Sequence, residues 1–157
     1  MGFDFNADDI FEMAEQMERN GAKFYRTAAE KVADSSAKEF LLELAGMEDE
    51  HEKTFALLRS QVSEKERAAT VFDPENESVL YLRALADVRV FFEKNIDVTS
   101  MYEILKAAIE AEKDSIVFYL GMKDLVSDKL GKDKIDSIIK EEMKHIRILS
   151  AELLKAS

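Results

Sequence analysis

Four stretches of the chain carry apolar residues at three- and four-residue steps, the period of a buried helical face. The first stretch runs from about Asn6 to Val32 and reads Phe11, Ala14, Glu18, Gly21 or Ala22, Tyr25, Ala28, Val32. The second runs from about Ala37 to Gln61 and reads Leu41, Leu44, Glu48, His51, Phe55, Leu58. The third, about Thr99 to Val126, reads Leu105, Ala108, Glu112, Ser115 or Ile116, Tyr119, Met122, Val126. The fourth, about Lys132 to Lys155, reads Ile135, Ile138, Ile139, Glu142, His145, Leu149, Leu153. Each predicted helix is about 25 residues, or ~37 Å at ~1.5 Å per residue. Asn6 is placed to cap the first helix, with Asp8 and Asp9 complementing its N-terminal dipole. Asp34-Ser35-Ser36 reads as a short turn ending in a cap, and Ser127 to Gly131 as a second. Turns that short make each pair of helices an antiparallel hairpin.

Residues 63–98 connect the hairpins. Asp73-Pro74 marks a break, with Pro suited to a first helical position. Val79 to Phe92 has a helical pattern of its own in Leu80, Leu82, Leu85, Val88, Phe91 and Phe92. The expected fold is all-α: an antiparallel four-helix bundle of two hairpins, about 6–62 and 99–157, joined by a long crossover containing a short helix. A chain of 157 residues suits one domain with a sizeable core.

Composition narrows the function. The formal net charge is −11, which argues against nucleic acid as a partner, since a basic patch is its usual footprint. With no cysteine, thiolate zinc and iron–sulfur sites are ruled out. The N-terminus lacks the basic and apolar regions of a signal peptide, and no apolar run approaches the ~20 residues that span a bilayer. A cytoplasmic protein with no membrane association is the expectation.

The chemistry lies where the apolar stripes are interrupted. Glu48 and His51 stand on one helical face where leucines belong, and Glu142 and His145 do the same. A carboxylate and an imidazole in an apolar stripe are costly unless something compensates them. The chain has only two histidines, and each has a Glu three positions before it. The two Glu-x-x-His pairs are 94 residues apart, and the same offset relates Glu18 to Glu112 and Tyr25 to Tyr119. The chain is therefore two copies of one hairpin. Counted outward from each turn, Glu18, Glu48 and His51 fall at one height near mid-helix, and so do Glu112, Glu142 and His145. Four carboxylates and two imidazoles then meet in the bundle centre. Four buried carboxylates raise each other's pKa values, and two divalent cations would cancel their charge. Oxygen and imidazole donors suit iron, manganese or zinc. This is the ligand set of di-iron and di-manganese helix bundles.

On these motifs the sequence resembles the ferritin-like superfamily, and within it the di-iron domain of rubrerythrins, over the four main helices. The resemblance implies that Glu48 and Glu142 bridge two iron ions. Glu18 and His51 would complete one ion's ligands, and Glu112 and His145 the other's. Tyr25 and Tyr119 would hydrogen-bond and orient carboxylates. The implied activity is reduction of hydrogen peroxide or dioxygen, with oxidation of Fe²⁺ as the alternative within the enzymes. A metal-binding bundle without catalysis, or a salt-bridged polar core without metal, are the readings from other classes. Rubrerythrins commonly carry a cysteine-ligated iron domain. With no cysteine here, electrons would come from a separate donor such as a rubredoxin. Ile109 stands where rubrerythrins have a further Glu, one turn before the third-helix ligand. The chain ends without the fifth helix of cage-forming ferritins, so a small oligomer is expected rather than a storage shell, and the resemblance implies a homodimer. Met13, Met17, Met47, Met101, Met122 and Met143 read as core filler. Glu15, Glu50, Glu52, Glu110 and Glu141 fall off the inward stripes and read as solvated.

Overall fold

The computed structural model describes residues 7–62, 77, 80–82, 84, 100–125 and 131–156. Four long helices account for most of them: α1 (Ala7–Lys31), α2 (Ser35–Ser60), α3 (Met101–Leu125) and α4 (Lys132–Ala156). Among the described residues there is no strand. The fold is the all-α four-helix bundle expected from the periodicity.

The helix ends follow local chemistry. Asp8 and Asp9 sit in the first turn of α1 and Lys31 in its last, matching the helix dipole at both ends. The Asn6 cap lies outside the described residues. α2 starts two residues earlier than expected, because Asp34 alone is the cap. Its carboxylate accepts from the Ala37 amide at 2.9 Å, which draws Ser35 and Ser36 into the first turn. α3 is capped by Ser100, whose hydroxyl accepts from the Glu103 amide at 3.3 Å. Before α4 the chain turns at Gly131, with φ +94°, and the Gly131 carbonyl accepts from the Lys134 and Ile135 amides. Most of the second turn, residues 126–130, lies outside the described residues.

α1 packs along α2 and α3 along α4, and the two hairpins meet through α1 against α3 and α2 against α4. The predicted inward faces are buried: Phe11, Ala14, Tyr25 and Ala28 on α1, Leu41, Leu44, Phe55 and Leu58 on α2, Leu105, Ala108, Tyr119 and Met122 on α3, and Ile135, Ile138, Ile139 and Leu149 on α4. Phe118 and Ile104 are also fully buried, so α3 covers a wider arc of core than the stripe reading gave it. Most of the expected crossover helix lies outside the described residues. Those that are described, including Leu80, Tyr81 and Leu82, are helical. Leu82 is buried and lies against Gly121 of α3, while Leu80 is exposed.

Polar rungs fix the height of α1 against α2. Arg59 binds Asp8 and Glu15, each at 3.0 Å, Arg19 binds Glu52 at 2.7 Å, and Arg26 binds Asp49. Exposed pairs of this kind contribute only ~0–1 kcal/mol each, so their effect is on register more than on stability. Glu15 corrects an expectation. It is buried rather than solvated, because Arg59 reaches across from the far end of α2 and pairs with it. Glu50 and Glu110 are solvated as expected, each beside a lysine three residues on.

Candidate metal centre

One set of charged groups lies in the middle of this core. Glu18 of α1, Glu48 and His51 of α2, Glu112 of α3, and Glu142 and His145 of α4 are each at most 3% exposed. Every helix contributes, because each interrupts its apolar stripe at the same height. The six form two overlapping groups. Glu18, Glu48, His51 and Glu142 each offer a donor atom within 4.8 Å of the others, and so do Glu48, Glu112, Glu142 and His145. Glu48 and Glu142 belong to both groups.

The atoms of these side chains divide into inner and outer ones. Glu18 Oε2, both oxygens of Glu48, Glu112 Oε2, both oxygens of Glu142, and Nδ1 of His51 and His145 have no hydrogen-bond partner. They face one another instead. His51 Nδ1 is 2.7 Å from Glu142 Oε1 and 3.5 Å from Glu18 Oε2, without the angle of a hydrogen bond. His145 Nδ1 is 3.5 Å from Glu48 Oε1 and Glu142 Oε2, and equally far from Glu112 Oε1, which is not one of the unpartnered oxygens. The two imidazoles stack with centroids 5.8 Å apart. Buried polar atoms without partners are rare in folded proteins, and a cluster of them marks a place for something else.

The outer atoms are all held. Tyr119 donates to Glu18 Oε1 at 2.5 Å, and Tyr25 donates to Glu112 Oε1 at 2.8 Å. The pairing is crosswise between the halves: each tyrosine serves the carboxylate of the other hairpin, not the one seven residues before it on its own helix. Phe55 packs on Tyr119 with centroids 5.1 Å apart and closes that side with apolar surface. His51 Nε2 bonds Glu141, and His145 Nε2 contacts Met47 Sδ at 3.1 Å.

At these last contacts one expectation fails, that for the methionines, and one holds with a contact added to it, that for Glu141. Glu141 is exposed, yet it reaches across from α4 to hold an imidazole of α2. Met47 and Met143 are partly exposed rather than core filler, whereas Met17 and Met122 are buried as expected. Stripe reading assigns a residue by its own helix, so it misses a side chain that leans onto a neighbouring one.

The electrostatics follow from burial without compensation. Burial raises the pKa of Glu18, and the nearby Glu142 charge adds to it. Glu48 is pushed well above the usual carboxylate range by burial and by Glu142 and Glu18. Burial also works upward on Glu142, but both imidazoles outweigh it and hold the pKa low. Burial alone would lower His51, yet Glu142 and Glu18 raise it to about 11. Burial and then the carboxylates raise both phenols well above their ordinary value, so Tyr25 and Tyr119 keep their protons and act as donors. This is a cluster of negative charge with donors converging on two shared points, and the rubrerythrin family model matches residues 9–153, all four helices included.

The chain belongs to the rubrerythrin family. A crystal structure from Thermotoga maritima, described as that of a ferritin-like diiron-carboxylate protein, shares 25% identity, covers 100% of both chains and superposes with a TM-score of 0.72. No curated protein matches. In a chain of this family the Glu and His cluster is the candidate metal site, and its donors are oxygen and imidazole alone. Ile109, one turn before Glu112 on α3, is buried in the apolar core. No described helix is long and apolar enough to cross a membrane.

Proposed function

We propose that the chain holds two iron ions between its hairpins and uses them to reduce hydrogen peroxide. Glu18 and His51 would hold one ion, Glu112 and His145 the other, and Glu48 and Glu142 both. The observation that supports this is the division of the six side chains into held outer atoms and unpartnered inner ones. Charge fits as well, because four carboxylates balance two divalent cations. When bound, the iron pair supplies the two electrons that, with two protons, convert one peroxide to two waters.

The chain's own residues prepare that chemistry. Tyr119 and Tyr25 fix the rotation of Glu18 and Glu112, leaving one oxygen of each carboxylate turned inward. The short bonds place a phenolic proton on the outer edge of the site, where each carboxylate accepts it without losing its inward oxygen. Met47 and Glu141, both exposed, stand behind the histidines where α2 faces α4, and a small oxidant would enter there. With no cysteine in the sequence, the spent site would be recharged by a separate donor such as a rubredoxin.

Protein purified without added metal should contain two iron ions per chain, with a visible band of an oxo-bridged ferric pair after oxidation. In stopped-flow absorbance, peroxide should oxidise the reduced protein faster than dioxygen does, and faster than it oxidises free Fe²⁺. No acceleration over free Fe²⁺ would remove the enzyme reading. Rapid oxidation of Fe²⁺ far beyond two per chain would favour iron handling instead. His51→Ala and His145→Ala should each lose about half of the bound metal, and unchanged metal content would refute the ligand assignment.

A further inference from the structure

The two halves present the same three ligands but not the same support behind them. Glu141 directly precedes Glu142, as Met47 precedes Glu48, so the two occupy equivalent positions in the repeat. Each reaches across the α2–α4 seam to the rear nitrogen of the other half's histidine: Glu141 to His51 Nε2, Met47 to His145 Nε2. At one end an anionic carboxylate accepts the imidazole N–H, and at the other a thioether takes its place.

A carboxylate is a strong acceptor and a thioether a weak one. With a cation bound, the His51–Glu141 bond would keep the proton on Nε2, leave Nδ1 to the cation, hold the ring and make Nδ1 a better donor. His145 has a poorer anchor. Its Nδ1 lies 3.5 Å from three carboxylates, whereas His51 Nδ1 is drawn to 2.7 Å from one of them.

From this we infer that the two metal positions are unequal: the Glu18/His51 position binds its cation more tightly than the Glu112/His145 position, and Glu141 and Met47 set the difference. The inference rests on the proposal that the cluster holds two metal ions. Glu141 is a positioning residue. It touches neither cation, and it acts through His51. An unequal pair has one firmly held ion and one that exchanges, and exchange or exogenous ligands would enter at the Met47 end.

The test is titration of the full chain, stripped by chelation, with Co²⁺ alone, followed by calorimetry and by visible absorbance. Wild type should take two equivalents in separate steps, and loss of a bond of this kind weakens binding by ~10- to 100-fold. Repulsion between two cations also separates the steps, so the variants decide. Glu141→Met should weaken the tight step by about that factor, and Met47→Glu should tighten the weak step. A role for Glu141 in stability alone would not produce the second effect. Glu141→Gln, which keeps an acceptor oxygen, should fall between wild type and Glu141→Met, and it carries the test if the methionine variant loses helicity. Indistinguishable steps in wild type, or variants that leave both dissociation constants unchanged, would overturn the inequality while leaving the metal site standing. No uptake of Co²⁺ at all would overturn the metal site itself.

Discussion

Replacing Glu48 by methionine should make the metal-free protein more stable while destroying its metal site. Glu48 is fully buried and neither oxygen has a hydrogen-bond partner. A buried polar atom left unsatisfied costs ~1–3 kcal/mol, and here there are two. Burial together with Glu142 and Glu18 pushes its pKa well up, so the ionised form is costly in the metal-free cluster. Because its raised pKa lets the carboxyl stay protonated, the cost of a buried charge is partly avoided, which places the net penalty at the lower end of the sum. Met has similar length and no charge, and Gly21 lies opposite. Even an added Cβ there would stand 3.5 Å from Glu48 Cδ, so the site has room for the substituted side chain. His51 keeps Glu18, Glu142 and Glu141 as neighbours, and His145 keeps Glu112 and Glu142. Exchange of buried charge for an apolar side chain of similar volume gains ~1–4 kcal/mol in other proteins. At ~2–4 °C per kcal/mol for a chain of this size, the melting temperature should rise by roughly 2–16 °C.

With metal the order reverses. Glu48 belongs to both donor groups, so its loss weakens both positions. A ligand at a hundred times its dissociation constant stabilises the folded state by ~2.7 kcal/mol, and Glu48→Met would forgo that twice. Thermal melts followed by circular dichroism, with chelator and then with Mn²⁺ or Co²⁺ in excess, read both halves of the prediction. Should Glu48→Met melt below wild type in chelator, the cluster is not under electrostatic strain, and the case that it awaits cations fails with it.

The remaining predictions concern the same cluster and its borders. Metal-free protein should melt at a higher temperature at pH 5.5 than at pH 8. The raised pKa values of Glu18 and Glu48, and of His51 at about 11, give stability that is full below the unfolded values and lost as pH climbs through the folded ones. Glu142 is lowered, so its contribution is lost only as pH falls below the ordinary carboxylate range. One proton of difference is worth ~1.4 kcal/mol per pH unit, and melts across that range in chelator check the sign. Metal-loaded protein should show the opposite slope, because protons compete for the ligands. Tyr119→Phe and Tyr25→Phe should each cost ~1–3 kcal/mol by orphaning a buried carboxylate oxygen. Because the pairing is crosswise, Tyr119→Phe should weaken metal at the Glu18/His51 position, and Tyr25→Phe at the other, in titrations with Co²⁺. Gly131→Ala should cost at least the ~1–2 kcal/mol of a left-handed non-glycine residue. Its Cβ would also meet Leu58 Cδ2 at 2.6 Å, and denaturant unfolding measures the sum.

The helices were legible because burial of one face imposes a 3.6-residue period, and that period is carried by side chains whose sole role is to be apolar. The candidate ligands were legible for the complementary reason. Glu18, Glu48, His51, Glu112, Glu142 and His145 break the stripe without shifting it, so each had to be buried and compensated. Their common height needed only the length of each turn, since antiparallel helices rise equally per residue. α2 started earlier than expected because a cap is chosen by one hydrogen bond, Asp34 to Ala37, and Ser35 and Ser36 suit a turn as well as a helix. The crossover between the hairpins lies mostly outside the described residues, and of those described Tyr81 and Leu82 lie against Gly121 of α3.

What sequence reading missed shares one geometric cause. The Glu15–Arg59 pair, the Glu141–His51 bond and the Met47–His145 contact each join residues on two different helices from positions off the inward stripe. Whether such a side chain meets water or a neighbour depends on the rotation of each helix about its axis and on their separation, and periodicity holds neither. The crosswise tyrosines show the same limit from within the stripe: Tyr25 was legible as buried beside carboxylates, but its choice of Glu112 over Glu18 depends on how α1 faces α3. Duplication sharpens the point. Two copies of one hairpin bring equivalent positions into the same place, so wherever both copies keep the same residue, either one reports on both. The bundle becomes asymmetric only where the copies differ and the contact passes between them. Position 47 and its repeat at 141 meet both conditions directly behind the two histidines, so the proposed inequality of the metal positions would be a property of the assembled pair, which neither half shows alone.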